Sequence, residues 1–354
     1  MRLDDFDYAL PPGLIAQHPP ERRGSSRLLV LDRKAGSWVH RSFLDLPEYL
    51  NPRDVLAVND TRVLPARLIG KKESGGKVEI LLVRKKEGAE EEPSSQEWEC
   101  LAQGSGRLRD RTRVFFEEAV EGDLLGRTPD GLWRLSLNGR KGQDLGLLLR
   151  RIGFAPLPPY IHRNGDGAMR AEDRERYQTV YARREGAIAA PTAGLHFSEE
   201  ILEKIRGKGV QVASLTLHVG MGTFLPVKSE EVEEHRLEPE YFDLSDRTAE
   251  TIDQARKAGG RVFAVGTTVT RALESSVDES GKVFPQVGQT GLFILPGHRF
   301  RAVDALVTNF HLPRSTLLML VAAFAGRELI LSAYEEAVQQ GYRFYSYGDA
   351  MVIL

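Results

Sequence analysis

GAIAAPTAGLHFSEEILEKIRGKGVQVASLTLHV, residues Gly186–Val219, is the stretch whose reading decides the fold. Gly186–Ala190 is short, apolar and uncharged, the composition of a strand buried on both faces. Pro191 and Gly194 break that run into a turn carrying Thr192 and His196. Ser198 stands where an N-cap belongs, since its hydroxyl can accept from a free amide of the first helical turn. Glu199 and Glu200 follow, where the helix dipole favours negative charge. Ile201, Leu202 and Ile205 supply one apolar face, and Gly207 and Gly209 can end the helix. Leu215, Leu217 and Val219 then alternate with Thr216, His218 and Gly220, the period of a strand. Strand, helix and strand within about 35 residues predict one βαβ unit. Open α/β sheets bind ligands beyond the carboxyl ends of their strands, and the histidines of this unit fall there.

The same grammar recurs downstream. Arg261–Val265 reads as a strand, and Gly266-Thr267-Thr268 leads into a helix over Val269–Ser275. Free amides at that helix start suit an anionic group such as a carboxylate. Val303–Val307 is a further strand ending in Thr308-Asn309-Phe310-His311. Pro313-Arg314-Ser315 then starts a helix whose residues Thr316–Phe324 are apolar all round, as in a buried helix. Thr248–Ala258 reads as a helix, and the C-terminal Tyr342–Leu354 as a strand. Upstream, Arg27–Leu31 and Asp54–Val58 are strands. The second runs into Asn59-Asp60-Thr61-Arg62, either the edge of a site or a capped turn. Gly220-Met221-Gly222-Thr223 follows a strand, but the third glycine and the helix of a dinucleotide fingerprint are missing. What remains is a glycine turn that lets backbone approach a ligand closely.

Residues 66–153 differ in character. Short β-type runs at Val78–Val83, Trp98–Ala102, Val114–Phe116 and Leu132–Leu137, with little helix between them, predict an inserted small all-β barrel. Residues 1–65 and 154–354 then make one discontinuous α/β domain, a mixed or mostly parallel sheet flanked by helices. Arg107, Arg109, Arg111 and Arg113 alternate, so on a strand they would share one face, open to phosphate or simply to solvent. Glu172–Ala182 reads as a helix with Arg176, Tyr177, Val180 and Tyr181 close on one side. Aromatic and basic side chains together suit RNA, and an ordinary amphipathic surface helix has the same pattern.

Bulk properties narrow the function classes. At 354 residues the chain allows roughly two domains and a sizeable core. Apolar content is 41% and charged content 28%, as in a soluble protein. The single cysteine, Cys100, excludes an internal disulfide and suits a reducing cytosol. No apolar run reaches the roughly 18 residues of a membrane span, and the acidic N-terminus lacks a signal peptide's apolar core. A cytoplasmic location with no membrane partner is expected. The net charge of −2 gives no whole-chain sign of nucleic acid, although local basic patches can bind it.

Brought together along one sheet edge, the three turns would offer Thr192 and His196, Thr267 and Thr268, and Asn309 and His311. Histidine is the natural general acid or base near neutral pH, while a single histidine is more often structural. HExxH and CxxC are absent, and the histidine spacing is not that of metal ligands, so no metal is expected. A GxSxG elbow and a P-loop are absent too. The pattern reaches an α/β enzyme with a polar site of histidines, threonines and glycines.

Longer motifs go further. They are SRLLVL (Ser26–Leu31), VNDTRVLPARL (Val58–Leu68), LPPYI (Leu157–Ile161), RYQTVYA (Arg176–Ala182), AAPTAGLHF (Ala189–Phe197), LHVGMGTFLPV (Leu217–Val227), AVGTTVTRALES (Ala264–Ser275), VDALVTNFHLPRSTLLMLVAAFAG (Val303–Gly326) and YRFYSYGDAM (Tyr342–Met351). In this order, end to end, the chain resembles the S-adenosylmethionine:tRNA ribosyltransferase-isomerases of queuosine biosynthesis. One departure is visible. Where the family has a second histidine shortly after EH, this chain reads Glu234-His235-Arg236-Leu237-Glu238-Pro239-Glu240, and the segment is left out of the catalytic set.

The resemblance implies an α/β domain with an inserted β-barrel. It implies transfer of the ribosyl part of S-adenosylmethionine, the co-substrate, to the aminomethyl group of a 7-deazaguanine at the wobble position of a tRNA with a GUN-type anticodon. Such a reaction needs a base, an acid and a dry pocket. His196 and His311 are expected to transfer protons, with Thr192 and Asn309 orienting the ribose. His218, Gly220, Gly222 and Thr223 are expected against the co-substrate, as are Gly266, Thr267 and Thr268. Arg174, Tyr177 and Gln178 are expected to meet tRNA, and the enzyme is expected to be a monomer. An S-adenosylmethionine methyltransferase would show a glycine-rich loop after the first strand. A non-catalytic RNA-binding module would leave the three polar strand ends without a reason.

Overall fold

The structure, a computed structural model, describes residues 1–86, 92–163, 170–220, 222, 227 and 229–354. The chain divides into two compact units, one of Met1–Arg62, Pro158–Asn164 and Gln178–Leu354, the other of Val63–Leu157 and Gly165–Tyr177.

The first unit is built on a mixed sheet. Its strands are β1 (Arg27–Asp32), β2 (Ser37–Ser42), β3 (Val55–Asn59), β4 (Gln211–Leu217), β5 (Glu240–Leu244), β6 (Val262–Val265), β7 (Gln286–Thr290), β8 (Ala305–Asn309) and β9 (Ala350–Ile353). The spatial order is β7-β5-β4-β3-β6-β8-β9-β1-β2. The central four, β4, β3, β6 and β8, are parallel, with Val212 opposite Leu56, Ala264 opposite Ala57 and Val265 opposite Val307. Strand β9 returns antiparallel beside β8, Asn309 facing Ala350, and β1 runs parallel to β9. One edge of the sheet therefore collects the carboxyl ends of β3, β4, β6 and β8 and the amino ends of β9 and β1.

The burial pattern follows from this topology. Every residue of β3, β6, β8 and β9 is buried, as expected where helices cover both faces. Alternation splits them into two cores. Val55, Ala57, Val262, Ala264 and Leu306 share one with helices α2 (Asp246–Lys257), α3 (Thr267–Ser275), α4 (Thr316–Ala325) and α5 (Arg327–Gln339). Leu56, Val58, Phe263, Val265 and Val307 share the other with Phe43, Phe197 and helix α1 (Glu199–Gly207). Serine hydroxyls at Ser198, Ser245 and Ser315 accept from the amides of Ile201, Thr248 and Leu318, capping α1, α2 and α4. Among the described residues no single helix is long and apolar enough to cross a membrane. Helices α4 and α5 meet at Gly326 with a bend of 115°, and the apolar residues of α4 lie in the core.

The second unit is a closed antiparallel barrel of Trp133–Asn138, Ser95–Gly104, Lys77–Lys85, Arg67–Lys72, Arg113–Phe115 and Glu121–Arg127, in that order. Leu68, Val78, Ile80, Leu82, Val114, Leu124, Leu135 and Leu137 are buried in it. A Cβ at Gly122 would lie 3.0–3.2 Å from Phe116, Leu135 and Leu137, so only a small residue fits there. Cys100 is buried, and desolvation pushes its thiol up to about 12, which makes it inert near neutral pH.

Three sequence expectations need correction. Gly186–Ala190 is not a strand of the main sheet. The strand is Arg184–Ala187, it belongs to a separate two-stranded sheet, and only its last residue is buried. The predicted βαβ unit is therefore absent, and α1 leads into β4, whose parallel partner is β3. The helix expected over Glu172–Ala182 covers only Arg170–Arg176. Tyr177 is buried and belongs to the second unit, while Val180 and Tyr181 pack against a core of the first. The alternating arginines share no strand face, because only Arg113 lies in a strand. Thr112 Oγ1 accepts from the Arg109 amide and donates to the Arg109 carbonyl, and Arg111 has φ 62°, closing a turn.

Candidate active site

The carboxyl edge of the first unit's sheet holds a cavity lined by four separate segments. Ala190–Ala193 come from the turn before α1, Gly266–Thr268 from the start of α3, and Thr308, Asn309 and His311 from the end of β8. Tyr345 and Ser346 precede β9, and Val219 and Leu317 complete the wall. Its volume is about 40 Å³, well below the roughly 300 Å³ and more of a ligand pocket. Binding a nucleoside there requires the walls to part.

Gly266 makes the turn from β6 into α3 at φ 91°, a left-handed conformation that glycine adopts without strain. No side chain caps α3, so its first amides are available to an anionic group. Asn59 staples the neighbouring strand ends. Its Oδ1 accepts from the amides of Leu217 and Thr61, and its Nδ2 donates to the Leu217 carbonyl at 2.9 Å. The polar turn after β3 is thus a strand-to-strand staple.

His311 lies on the cavity wall, 4% exposed. Its amide donates to Tyr334 Oη, and its carbonyl accepts from Tyr8 Oη. Nε2 is 2.8 Å from Thr308 Oγ1, while Nδ1 has no partner among the described residues. Burial lowers its pKa to about 3, so the ring is neutral near pH 7. His196 lies behind the wall, its ring 5.1 Å from that of Phe43. Both of its nitrogens are engaged, Nδ1 with Ser26 Oγ at 2.8 Å and Nε2 with Asn309 Nδ2 at 3.0 Å. Burial, then the charges of Arg343 and Arg23, lowers its pKa to about 3 as well.

These two rings make stability depend on pH. Folded, they stay neutral down to about pH 3, whereas in the unfolded chain they protonate near pH 6.5. Between those values the unfolded chain binds more protons, so their contribution is complete above pH 6.5 and declines as pH falls towards 3. The limiting slope is about 2.7 kcal/mol per pH unit for the pair. Urea unfolding at pH 7, 6 and 5 measures it, and His311→Gln should remove about half of the slope. An unchanged slope in that variant would refute the assignment.

The other expected residues are placed as follows. Thr192, Gly266, Thr267, Thr268, Asn309 and His311 line the cavity. His218 does not. Its Nδ1 is 2.8 Å from Thr61 Oγ1, and its ring stacks on Tyr241 at 5.4 Å. Gly186 allows this, because a Cβ there would lie 2.5 Å from the His218 ring. The Gly220 amide donates to Glu240 Oε1 at 2.8 Å, and Gly222 would bring a Cβ into ordinary contact with Glu238. Thr223 lies outside the described residues. In the second unit, Arg174 Nη2 donates to the carbonyls of Arg151 and Gly153. The Tyr177 side chain is fully buried, so stacking on a base is not open to it as it stands. Gln178 is half-buried. Among the described residues, no group of three His, Cys, Asp or Glu side chains is placed to hold a metal ion.

A family model described as queuosine biosynthesis protein matches residues 3–353. The chain belongs to that family. It is 50% identical over 354 residues to the S-adenosylmethionine:tRNA ribosyltransferase-isomerase of Geobacter metallireducens, with all of both chains covered. It is 51% identical over 360 residues to that of Anaeromyxobacter dehalogenans, covering 100% of this chain and 99% of the relative. The crystal structure of S-adenosylmethionine tRNA ribosyltransferase from Thermotoga maritima is 38% identical. It aligns with a TM-score of 0.54 over 99% of this chain and 100% of that one.

Within this family member, several site residues escaped the sequence reading. Ser26, which bonds His196, and Tyr345 and Ser346, which line the cavity, all precede strands. Ser26 opens the SRLLVL motif and Tyr345-Ser346 precedes the last strand. Residues before a strand reach a carboxyl-end site only if that strand runs antiparallel to the central ones, and a strand's direction is not written in its own residues.

Proposed function

We propose that this chain transfers the ribosyl moiety of S-adenosylmethionine to the aminomethyl group of 7-aminomethyl-7-deazaguanine at the tRNA wobble position. The product is epoxyqueuosine tRNA, and adenine and methionine leave. Full-length relatives of that name support the reading. The observation that carries it is the single cavity into which Thr192, Gly266–Thr268, Asn309 and His311 converge. The family's anticodon preference, GUN, and a monomeric state are part of the proposal.

The chemistry assigns roles. The sulfonium acidifies the C5′ hydrogens, so a base can take one of them. Adenine leaves protonated, and the tRNA amine attacks as the free base. His311 carries the proton transfer. In the tautomer whose Nε2–H donates to Thr308 Oγ1, the lone pair sits on Nδ1, the one ring nitrogen left open. Thr192 and Asn309 orient the ribose, and the free amides at Thr267 and Thr268 hold the methionine carboxylate. The narrow, largely apolar wall keeps water away from these steps. Mass spectrometry of tRNA after incubation with S-adenosylmethionine tests the reading. A ribosyl-derived mass is expected. A methyl mass, or none, would refute it.

For the RNA backbone, a second cavity of about 450 Å³ flanks β4 and the start of α2. It is lined by Arg183, Arg184 and Arg247 together with Asp60, Asp243 and Ser245. Arginine forks and a helix start suit phosphate, and the cavity runs along β4 from Gln211 to Thr216, whose hydroxyl donates to Asp60. Replacing Arg183 and Arg247 together with Ala should weaken tRNA binding and lower its salt slope by about two. Unchanged slope and affinity would leave this groove out of RNA recognition.

A further inference from the structure

Asn309 ends β8 with its side chain 2% exposed. Its Nδ2 carries two protons and meets two acceptors, the Tyr345 carbonyl at 3.1 Å and His196 Nε2 at 3.0 Å. A carbonyl can only accept, so the Tyr345 contact settles which way the amide points. Both protons are then in use, and His196 Nε2 must present a lone pair. Its single ring proton sits on Nδ1 and donates to Ser26 Oγ, 2.8 Å away. Asn309 Oδ1 has no hydrogen-bond partner among the described residues, and Asn309 lines the cavity beside Thr192 and His311. A buried oxygen of this kind is costly unless a ligand brings the missing donor.

We propose that Ser26 and His196 form a tautomer lock that holds the Asn309 amide so that its carbonyl oxygen accepts a hydrogen bond from a ribose hydroxyl of S-adenosylmethionine. The proposal rests on the reading above and gives His196 a positioning role. A second ring proton on His196 would set an N–H against the amide N–H and force the Asn309 side chain to turn. Arg343 and Arg23, the charged groups that act on this ring, both oppose that proton, and Phe43 covers it. A neutral oxygen behind an uncharged wall suits a neutral donor better than the methionine ammonium. The ribose hydroxyls are the neutral donors nearest C5′, where His311 acts.

Calorimetric titration of the wild-type enzyme, Asn309→Leu, His196→Leu and His196→Gln tests the lock. Each is titrated with S-adenosylmethionine, its 2′-deoxy and 3′-deoxy analogues and its 6-deamino analogue. Both leucine variants should bind S-adenosylmethionine about ten- to a hundredfold more weakly. His196→Gln, whose amide oxygen can replace Nε2 as acceptor, should recover most of that loss. One deoxy analogue should lose the same factor with the wild type and nothing further with Asn309→Leu. Wild-type affinity in the leucine variants would overturn the proposal, as would non-additivity with the 6-deamino analogue instead. If a leucine variant does not fold, the wild type still decides, since equal binding of both deoxy analogues and S-adenosylmethionine would overturn it. Ribosyl transfer to tRNA by the wild type, measured in parallel, separates failure of the lock from failure of the assigned reaction.

Discussion

Replacing His311 with alanine lowers kcat for ribosyl transfer about a hundred- to ten-thousandfold, the range of a lost proton-transfer group. Affinity for tRNA stays at the wild-type value. The expectation follows from the one open ring nitrogen on the cavity wall, with Nε2 committed to Thr308. Its acid limb is also distinctive. Because burial holds the ring neutral to about pH 3, protonation of His311 should not depress kcat between pH 7 and 5, as an ordinary histidine would. Thr308→Val should cost less than His311→Ala, since it loosens the ring's tautomer and keeps the base. Single-turnover adenine release and tRNA binding, measured separately, check this. A kcat near wild type in His311→Ala would remove the residue from the mechanism.

Breaking the buried pair of Glu240 and Arg271 costs about 3–5 kcal/mol, a large share of the stability of any domain. The two are 6% and 7% exposed, with Arg271 Nη1 2.5 Å from Glu240 Oε2. Arg271 also donates to the Leu292 and Thr290 carbonyls, and Glu240 accepts from the Gly220 amide. The pair therefore ties α3, whose start lines the cavity, to β5, to the end of β7 and to the glycine turn after β4. Glu240→Ala leaves an arginine charge buried without its carboxylate. Arg271→Met with Glu240→Leu removes both charges and should lose much less. Thermal unfolding should put the single variant roughly 6–20 °C below wild type, with the double variant in between. A single variant that melts with the wild type would show that the pair carries no net stability.

Some of the architecture was legible because it depends on local chemistry. The apolar runs at Arg261–Val265 and Val303–Val307 became fully buried strands, and Ser198 caps α1 as its position suggested. Gly186–Ala190 has the same apolar look and joined no central strand, because Arg184, Glu185 and Gly186 keep the strand's body in solvent. At Tyr177 the aromatic pattern pointed to RNA, but the side chain is fully buried. Periodicity marks which residues need cover and does not say what supplies it.

The same limit divides the site. Composition and motif order by themselves determined the α/β class, the small barrel and the family, and they drew attention to Thr192, His196, Asn309 and His311 as polar residues after apolar runs. Only the tertiary structure decided that β9 and β1 enter from the cavity edge, bringing Tyr345 and Ser26 to Asn309 and His196. It also separated the two histidines, leaving Nδ1 of one ring open and engaging both nitrogens of the other. A side chain's chemistry travels with its residue, but the partners that set the tautomer of His196, Ser26 and Asn309, come from chain segments more than a hundred positions away, and only folding brings them within hydrogen-bond reach.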